Sequence, residues 1–305
     1  MFATMATPCA GHPVRGPPNG GIECPLSATS EAKGARAVSD GRFTTNGSKI
    51  DTTVPHSARV WNYFLGGKDH FAADRHLGDQ VIQFFPGIVD IARASREFLA
   101  RAVGYLAGTA GVQQFLDIGT GLPSFDNTHE VAQRFAPQAR IVYVDYDPLV
   151  LVHARALLTS SPEGVTQYIE ADVRNPEAIL AGAAKTLDFS KPIALMMLGI
   201  LGHVLDYDEA RSIVTRLVAA LPSGSYLVVA DGTNVVNREA RDTANHASVE
   251  GGLPYAPRSP EQIAAYFTGL ELIGPGVVSA PRWRLQPGAD VPDEVDEFCG
   301  VARKP

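Results

Sequence analysis

A chain of 305 residues, 45% of them hydrophobic, is long enough for one large core with additions or for two small domains. A net charge of −7 with 19% charged residues speaks against tight, phosphate-driven binding of nucleic acid. The longest apolar run, 193–201, is far shorter than the roughly 20 residues a membrane span needs, and no continuous apolar stretch near the N-terminus marks a secretion signal.

The three cysteines, Cys9, Cys24 and Cys299, form no CxxC pair and lack zinc-ligand spacing. Free thiols in a reducing cytoplasm are the expectation.

Residues 1–50 are rich in Gly, Pro, Ser, Thr and Ala and poor in large apolar side chains. Such a segment buries too little surface to offset its ordering entropy, which predicts a disordered tail. From 54 to 106 the apolar spacing is helical. Val60, Trp61, Phe64 and Leu65 mark a first helix that Gly66-Gly67 ends. Ile88, Ile91, Phe98, Ala102 and Leu106 mark a longer one, with Pro86 near its start. Residues 51–110 are therefore expected to form an N-terminal helical cap, and 111–305 a separate domain.

In that second domain short apolar runs alternate with helical patterns. Strands are predicted at 114–118, 141–145, 165–170, 193–198 and 226–230, and helices at 128–135, 148–158, 176–183 and 207–221. Near-continuous apolar strands alternating with helices predict a Rossmann-like α/β fold, a parallel sheet covered on both faces. A last helix at 260–267, with Ser259 as N-cap, precedes two short strands near 272–278 and 283–285, predicted as an edge hairpin.

The chemistry concentrates at the strand ends. The first strand runs into Asp117-Ile118-Gly119-Thr120-Gly121-Leu122-Pro123. Glycines there permit a sharp turn and a close ligand approach. The next helix opens near Asp126-Asn127-Thr128, which are capping residues. The second strand ends in Asp145-Tyr146-Asp147-Pro148. Asp147 before Pro148 suits a helix cap, which leaves Asp145 to bind ribose hydroxyls. The third strand ends near Asp172-Val173. Three acids at three strand ends would repel a pyrophosphate, and they would attract the cationic amino and sulfonium groups of S-adenosylmethionine. A nicotinamide fingerprint, GxGxxG, is broken by Ser124.

Four stretches carry a family resemblance: 58–75 (ARVWNYFLGGKDHFAADR), 115–123 (FLDIGTGLP), 142–148 (VYVDYDP) and 171–176 (ADVRNP). From about residue 54 onward the chain resembles the actinobacterial S-adenosylmethionine-dependent methyltransferases once catalogued as a domain of unknown function. The 65–75 block is specific to that family, and the other motifs are shared among class I methyltransferases. The resemblance implies a seven-stranded sheet of order 3-2-1-4-5-7-6. It implies methionyl binding at Asp117, Gly119 and Gly121, ribose binding at Asp145, and adenine binding near Asp172 and Val173. Thr120, Tyr146 and Leu198, which flank these positions, complete the expected donor set. Pro123 stands where many class I enzymes carry a third glycine.

The fourth strand leads to Leu198-Gly199-Ile200-Leu201-Gly202-His203. In class I enzymes this strand end borders the acceptor, so His203 is a candidate proton acceptor beside a structural reading. Trp61, Tyr63 and Phe71 are candidates to line a lid over the donor, or core residues. Lys68 and Arg75 are either solvated or paired with Asp69 and Asp74. The expected activity is in-line methyl transfer to a small-molecule acceptor, without a metal and without a membrane or nucleic-acid partner. The alternative is a protein that binds S-adenosylmethionine without turnover.

Overall fold

The computed structural model describes residues 42–45, 48–157, 160–286 and 288–305. An antiparallel hairpin, β1 (Arg42–Thr45) and β2 (Ser48–Asp51), comes first. It lies inside the stretch that composition reads as a tail. Residues 1–41, the bulk of that tail, fall outside the described residues together with Cys9 and Cys24. Ile50 anchors the second strand: it is buried beside Leu122, Leu149 and Val150. That contact is tertiary, so local composition does not reveal it.

Three helices follow: α1 (Ser57–Phe64), α2 (Ala72–Phe84) and α3 (Ile88–Gly108). Sequence periodicity predicts the first and third and passes over α2, whose apolar positions are sparse. The Gly66-Gly67 break closes α1 by backbone bonds from Gly66 N to Tyr63 O (2.9 Å) and from Gly67 N to Asn62 O (2.9 Å). Gly66 has φ +74°, and a Cβ on Gly67 would collide with the Asn62 side chain. α3 is not part of a separate cap. Its Phe98, Ala102, Val103 and Leu106 are fully buried in the same core as strand residues Phe115, Ile141 and Met196. A boundary at residue 110 would cut that core.

The main sheet contains β3 (Gln114–Ile118), β4 (Arg140–Asp145), β5 (Val165–Glu170), β6 (Ala194–Leu198), β7 (Tyr226–Gly232), β8 (Glu271–Leu272), β9 (Val278–Ser279) and β10 (Glu297–Arg303). Helices α4 (Thr128–Phe135), α5 (Pro148–Leu157), α6 (Pro176–Ala183), α7 (Tyr207–Ala220), α8 (Arg238–Glu250) and α9 (Pro260–Ala265) connect the strands. The strand order is β5-β4-β3-β6-β7-β10-β8, and β9 pairs with β10 as well. This is the order the resemblance implies, with one difference: the outer position is divided between β8 and β9, so eight strands fill seven places. β3 to β7 are parallel and β10 is antiparallel to β7.

Alternation along the strands builds two cores. Phe115, Ile141 and Met196 face α3 and α4, while Leu116, Val142 and Leu195 face the layer of α6, α7 and α9. Asn127, Asn175, Asp206 and Ser259 cap their helices as their residue types predict.

The C-terminal region departs from expectation. Residues 283–285 are not a strand. Trp283 follows a short 3-10 turn, Ala280–Arg282, and is fully buried edge-on to Phe98, with ring centres 5.4 Å apart. The antiparallel strand is β10, whose Gly300 and small side chains obscure its pattern. Sequence periodicity also passes over α8, because only Ala244 along it is buried. No helix among the described residues is long and apolar enough to cross a membrane. Trp283→Ala is expected to destabilise the fold by about 3–5 kcal/mol, as for large aromatic truncations in cores, measured by urea denaturation. A loss below about 1 kcal/mol would mean the site collapses around the deletion.

Candidate active site

The strand ends are shaped by hydrogen bonds among the loops that leave them. After β3 the chain turns through Gly119 and Gly121, with φ of +76° and +62°. Gly119 N donates to Val144 O at 2.8 Å, and a Cβ on Gly119 would lie 2.7 Å from Ile200, so glycine is needed for both conformation and space. A Cβ on Gly121 would meet nothing within 4 Å, so that turn is open to the cavity.

Asp145 is held from two sides. Its Oδ2 accepts from Gly121 N at 2.9 Å, and its Oδ1 accepts from Asp147 N at 3.0 Å. Burial raises its pKa against these two bonds. Asp147 caps α5, accepting from Leu149 N at 2.8 Å. Its other oxygen lies 2.9 Å from His56 Nδ1. Burial alone would raise the Asp147 carboxyl, but the His56 contact, the Leu149 amide and the Arg59 charge together outweigh it and hold the group below its ordinary value.

Asp117 lies deeper. Burial pushes its pKa up to about 6, against the Thr128 hydroxyl that donates at 2.6 Å and the Arg96 guanidinium, and with the Asp145 charge adding to the rise. Tyr143 and Tyr168 stack beneath it at 4.9 Å.

Asp117, Gly119, Thr120, Gly121, Asp145, Tyr146 and Leu198 border a single cavity, and so does His203. Asp172 and Val173 do not line it. Asp172 is exposed and closes its own turn by accepting from Arg174 N at 2.9 Å, and Val173 is buried in the core under α6. So two of the three strand-end acids meet, and the third points into solvent.

His203 sits in a 3-10 turn, edge-on to Tyr255 with ring centres 5.1 Å apart. Burial pushes its pKa down to about 4, against a hydrogen bond to the Pro254 carbonyl. Burial thus favours the neutral form of this ring.

Trp61 borders the cavity, whereas Tyr63 and Phe71 do not. The Tyr63 hydroxyl donates to Asp79, and the Phe71 ring lies under the Arg59 guanidinium. Lys68 and Arg75 are exposed, the first of the two alternatives for them. Asp74 pairs with Arg59 rather than Arg75, and Asp69 lies 3.8 Å from His153.

Sequence reasoning missed the far half of the cavity. There α1, α2 and α3 contribute Val60, Phe64, Leu77, Val81, Ile88 and Ile91 as apolar walls, and Ser95 on α3, Arg241 on α8, Tyr255 in the loop after α8 and Glu297 on β10 supply polar ones. Only the cavity itself links these positions, which are scattered from 60 to 297.

The raised Asp117 pKa has a consequence for stability. Its folded value exceeds its ordinary 3.8, so the fold favours the protonated acid and loses stability as pH rises from about 4 to about 6. Asp117→Asn mimics the neutral form. It is expected to match the parent near pH 4 and to be more stable above pH 6, by an amount of order 3 kcal/mol, read from urea denaturation at both pH values. A pH-independent difference would remove Asp117 from this linkage.

The S-adenosyl methyltransferase family matches residues 43–305 of the chain. Among solved structures, a DUF574-family protein from Streptomyces avermitilis MA-4680 is 41% identical. The match covers 84% of this chain and 99% of that one, with a TM-score of 0.80. A candidate methyltransferase from Thermobifida fusca YX is 40% identical over 83% of this chain and 96% of that one, with a TM-score of 0.76. No curated protein matches the chain. With the family matched across the whole sheet and the Asp117–Gly121 turn within the match, the chain belongs to the S-adenosyl methyltransferase family and is an S-adenosylmethionine-dependent methyltransferase.

Proposed function

We propose that this methyltransferase acts on a small-molecule acceptor, with the donor held by the loops after β3 and β4. Bound S-adenosylmethionine supplies a methyl group activated by its sulfonium. In this reading Asp117 and the Gly119–Gly121 turn receive the methionyl end, with Thr120 and Leu198 beside it. Asp145 accepts from the ribose hydroxyls and the exposed Tyr146 ring flanks them. Asp172 and Val173, which stand off the cavity, would reach an adenine only at its rim.

The observation that carries the reading is the state of the two buried carboxyls. Burial raises the pKa of both Asp117 and Asp145. Such groups favour a ligand that brings positive charge and hydroxyl donors.

A small acceptor is supported by the enclosure of the far half of the cavity. Helices α1, α2 and α3 line it with apolar side chains, and α8 adds Ala244 beside the polar Arg241, Asn245 and Ser248. A wall of this kind suits a compact apolar molecule better than a polymer segment. Positioning is the chain's main contribution, since well-oriented reactants can gain about 7–11 kcal/mol from proximity. His203, neutral and bonded through one ring nitrogen to Pro254, is read as a residue that orients the acceptor. Helices α1 and α2 close the site and keep water out, and His56 ties them to the Asp147 turn.

Two experiments test this reading. Asp145→Ala is expected to weaken S-adenosylhomocysteine binding by about 1–3 kcal/mol in calorimetry, while His203→Ala leaves that affinity within threefold and lowers turnover of the acceptor by up to about 10²-fold. Undiminished donor affinity in Asp145→Ala would reduce Asp145 to a loop fastener. Hydrogen exchange is expected to slow across residues 57–84 when S-adenosylhomocysteine binds. Slowing confined to 117–147 would make α1 and α2 a packing element.

A further inference from the structure

The far half of the cavity holds two polar groups that donor binding does not use. Glu297 opens β10, and its Cα is paired across the strands with that of Gly232 at the end of β7. Directly opposed residues of an antiparallel pair project to the same face. On that face the Arg241 guanidinium fills the space that a side chain on Gly232 would need: a Cβ there would lie 2.5 Å from an Arg241 terminal nitrogen. Arg241 and Glu297 therefore share one corner of the cavity, and both line it.

Each keeps an unsatisfied atom. Glu297 is only 2% exposed, yet its Oε2 has no hydrogen-bond partner among the described residues. Arg241 Nε is likewise unpartnered, with its guanidinium between the Phe85 and Tyr255 rings, 5.6 Å from each centre. A buried polar atom without a partner costs about 1–3 kcal/mol. Two such atoms, one accepting and one donating, mark a place for a group that both donates and accepts.

We infer that Glu297 and Arg241 together receive a hydroxyl group of the acceptor, so that this enzyme methylates oxygen on an apolar alcohol or phenol. A hydroxyl offers one O–H and two lone pairs, matching Glu297 Oε2 and Arg241 Nε at once. An ammonium group offers donors only and would meet Arg241 with like charge, and a neutral amine attacks through its lone pair before it loses a proton, so it does not call for a proton acceptor at Glu297. The apolar walls of Val60, Phe64, Leu77, Val81 and Ile91 suit the body that carries the hydroxyl.

Glu297 acts as the proton acceptor. Its Oε2 takes the hydroxyl proton as the oxygen's electron pair forms the O–CH3 bond. The S–CH3 bond breaks with its pair left on sulfur, giving the neutral thioether of S-adenosylhomocysteine. Arg241 holds the charge that builds on oxygen, and the Glu297 acid then returns its proton to solvent.

Burial pushes Glu297 up to about 8, against a hydrogen bond from Ser95, with the Asp231 charge adding to the rise and Arg241 opposing it. A base in this range is matched to work near neutrality. The groups facing it are Ser95 on α3, Asp231 on β7, Arg241 on α8, Tyr255 in the loop after α8, and Cys299 on its own strand.

The inference rests on the donor reading above, and the test separates the two. 2-Naphthol, whose phenolate form absorbs at longer wavelength than its neutral form, is added to the S-adenosylhomocysteine complex of the full chain at pH 8.5, where Glu297 is largely ionised and free 2-naphthol is mostly neutral, and the band of the free naphthol at that pH is subtracted. The expected result is a phenolate band on binding, as the proton passes to Glu297 and Arg241 holds the anion. Glu297→Gln is expected to lower that band at least tenfold, and Arg241→Leu to do the same, with S-adenosylhomocysteine affinity within twofold in both. No phenolate band in the parent complex overturns the inference, as does a band of undiminished strength in Glu297→Gln. If the parent fails to bind S-adenosylhomocysteine, the donor reading has failed instead.

Discussion

A buried arginine fastens the front of the chain to its site. Arg59 is 4% exposed and donates to the carbonyls of Asp51 (2.9 Å) and Val54 (2.7 Å), with its Nε 3.4 Å from Asp74 Oδ1. Asp74 is fully buried and also accepts from the His56 and Phe71 backbone amides. A buried ion pair is tolerable only when such extra bonds complete it, and breaking one costs about 3–5 kcal/mol. The same segment presents the His56 ring to Asp147. Hairpin, α1 and α2 are thus positioned on the turn that holds Asp145, and the cavity exists because they are.

Much of this was legible in the sequence, and the physics says which parts. The parallel strands announce themselves because both faces are buried, so each reads as an apolar run between helices. The helix caps announce themselves because Asn, Asp and Ser serve one purpose at those positions. β10 and α8 do not, because their residues are chosen by what they touch. Gly300 leaves room for Phe267 and Val277, and α8 turns a polar face to solvent and to the cavity rim. α3 looks like part of a cap in sequence because it is contiguous with α1 and α2. Its burial against the sheet is visible only in three dimensions.

The site divides in the same way. The half proposed for the donor lies on loops that follow consecutive strands, so its residues are grouped in sequence and carry a motif. The half of the cavity proposed for the acceptor is assembled from α1, α2, α3, α8, β10 and the Tyr255 loop, and nothing local connects them. His203 shows a third limit. Its place at the end of β6 was readable, but its proton affinity depends on burial by Tyr255 and the Pro254 loop. Asp172 shows the converse: a strand-end acid with the right spacing whose side chain turns back to its own backbone.

The position of β10 bears on how the molecule is made. It is the last strand in chain order, yet it lies inside the sheet, between β7 and β8. During synthesis on the ribosome the parallel half can assemble as it emerges, but β7 keeps an unpaired edge until residues 297–303 arrive. Strand pairing across so long a stretch of chain is slow, and an open edge invites association with other chains. Glu297 enters with that strand. A nascent chain could therefore complete its donor loops before it possesses the corner that Glu297 forms with Arg241, so the two halves of the site would mature at different times.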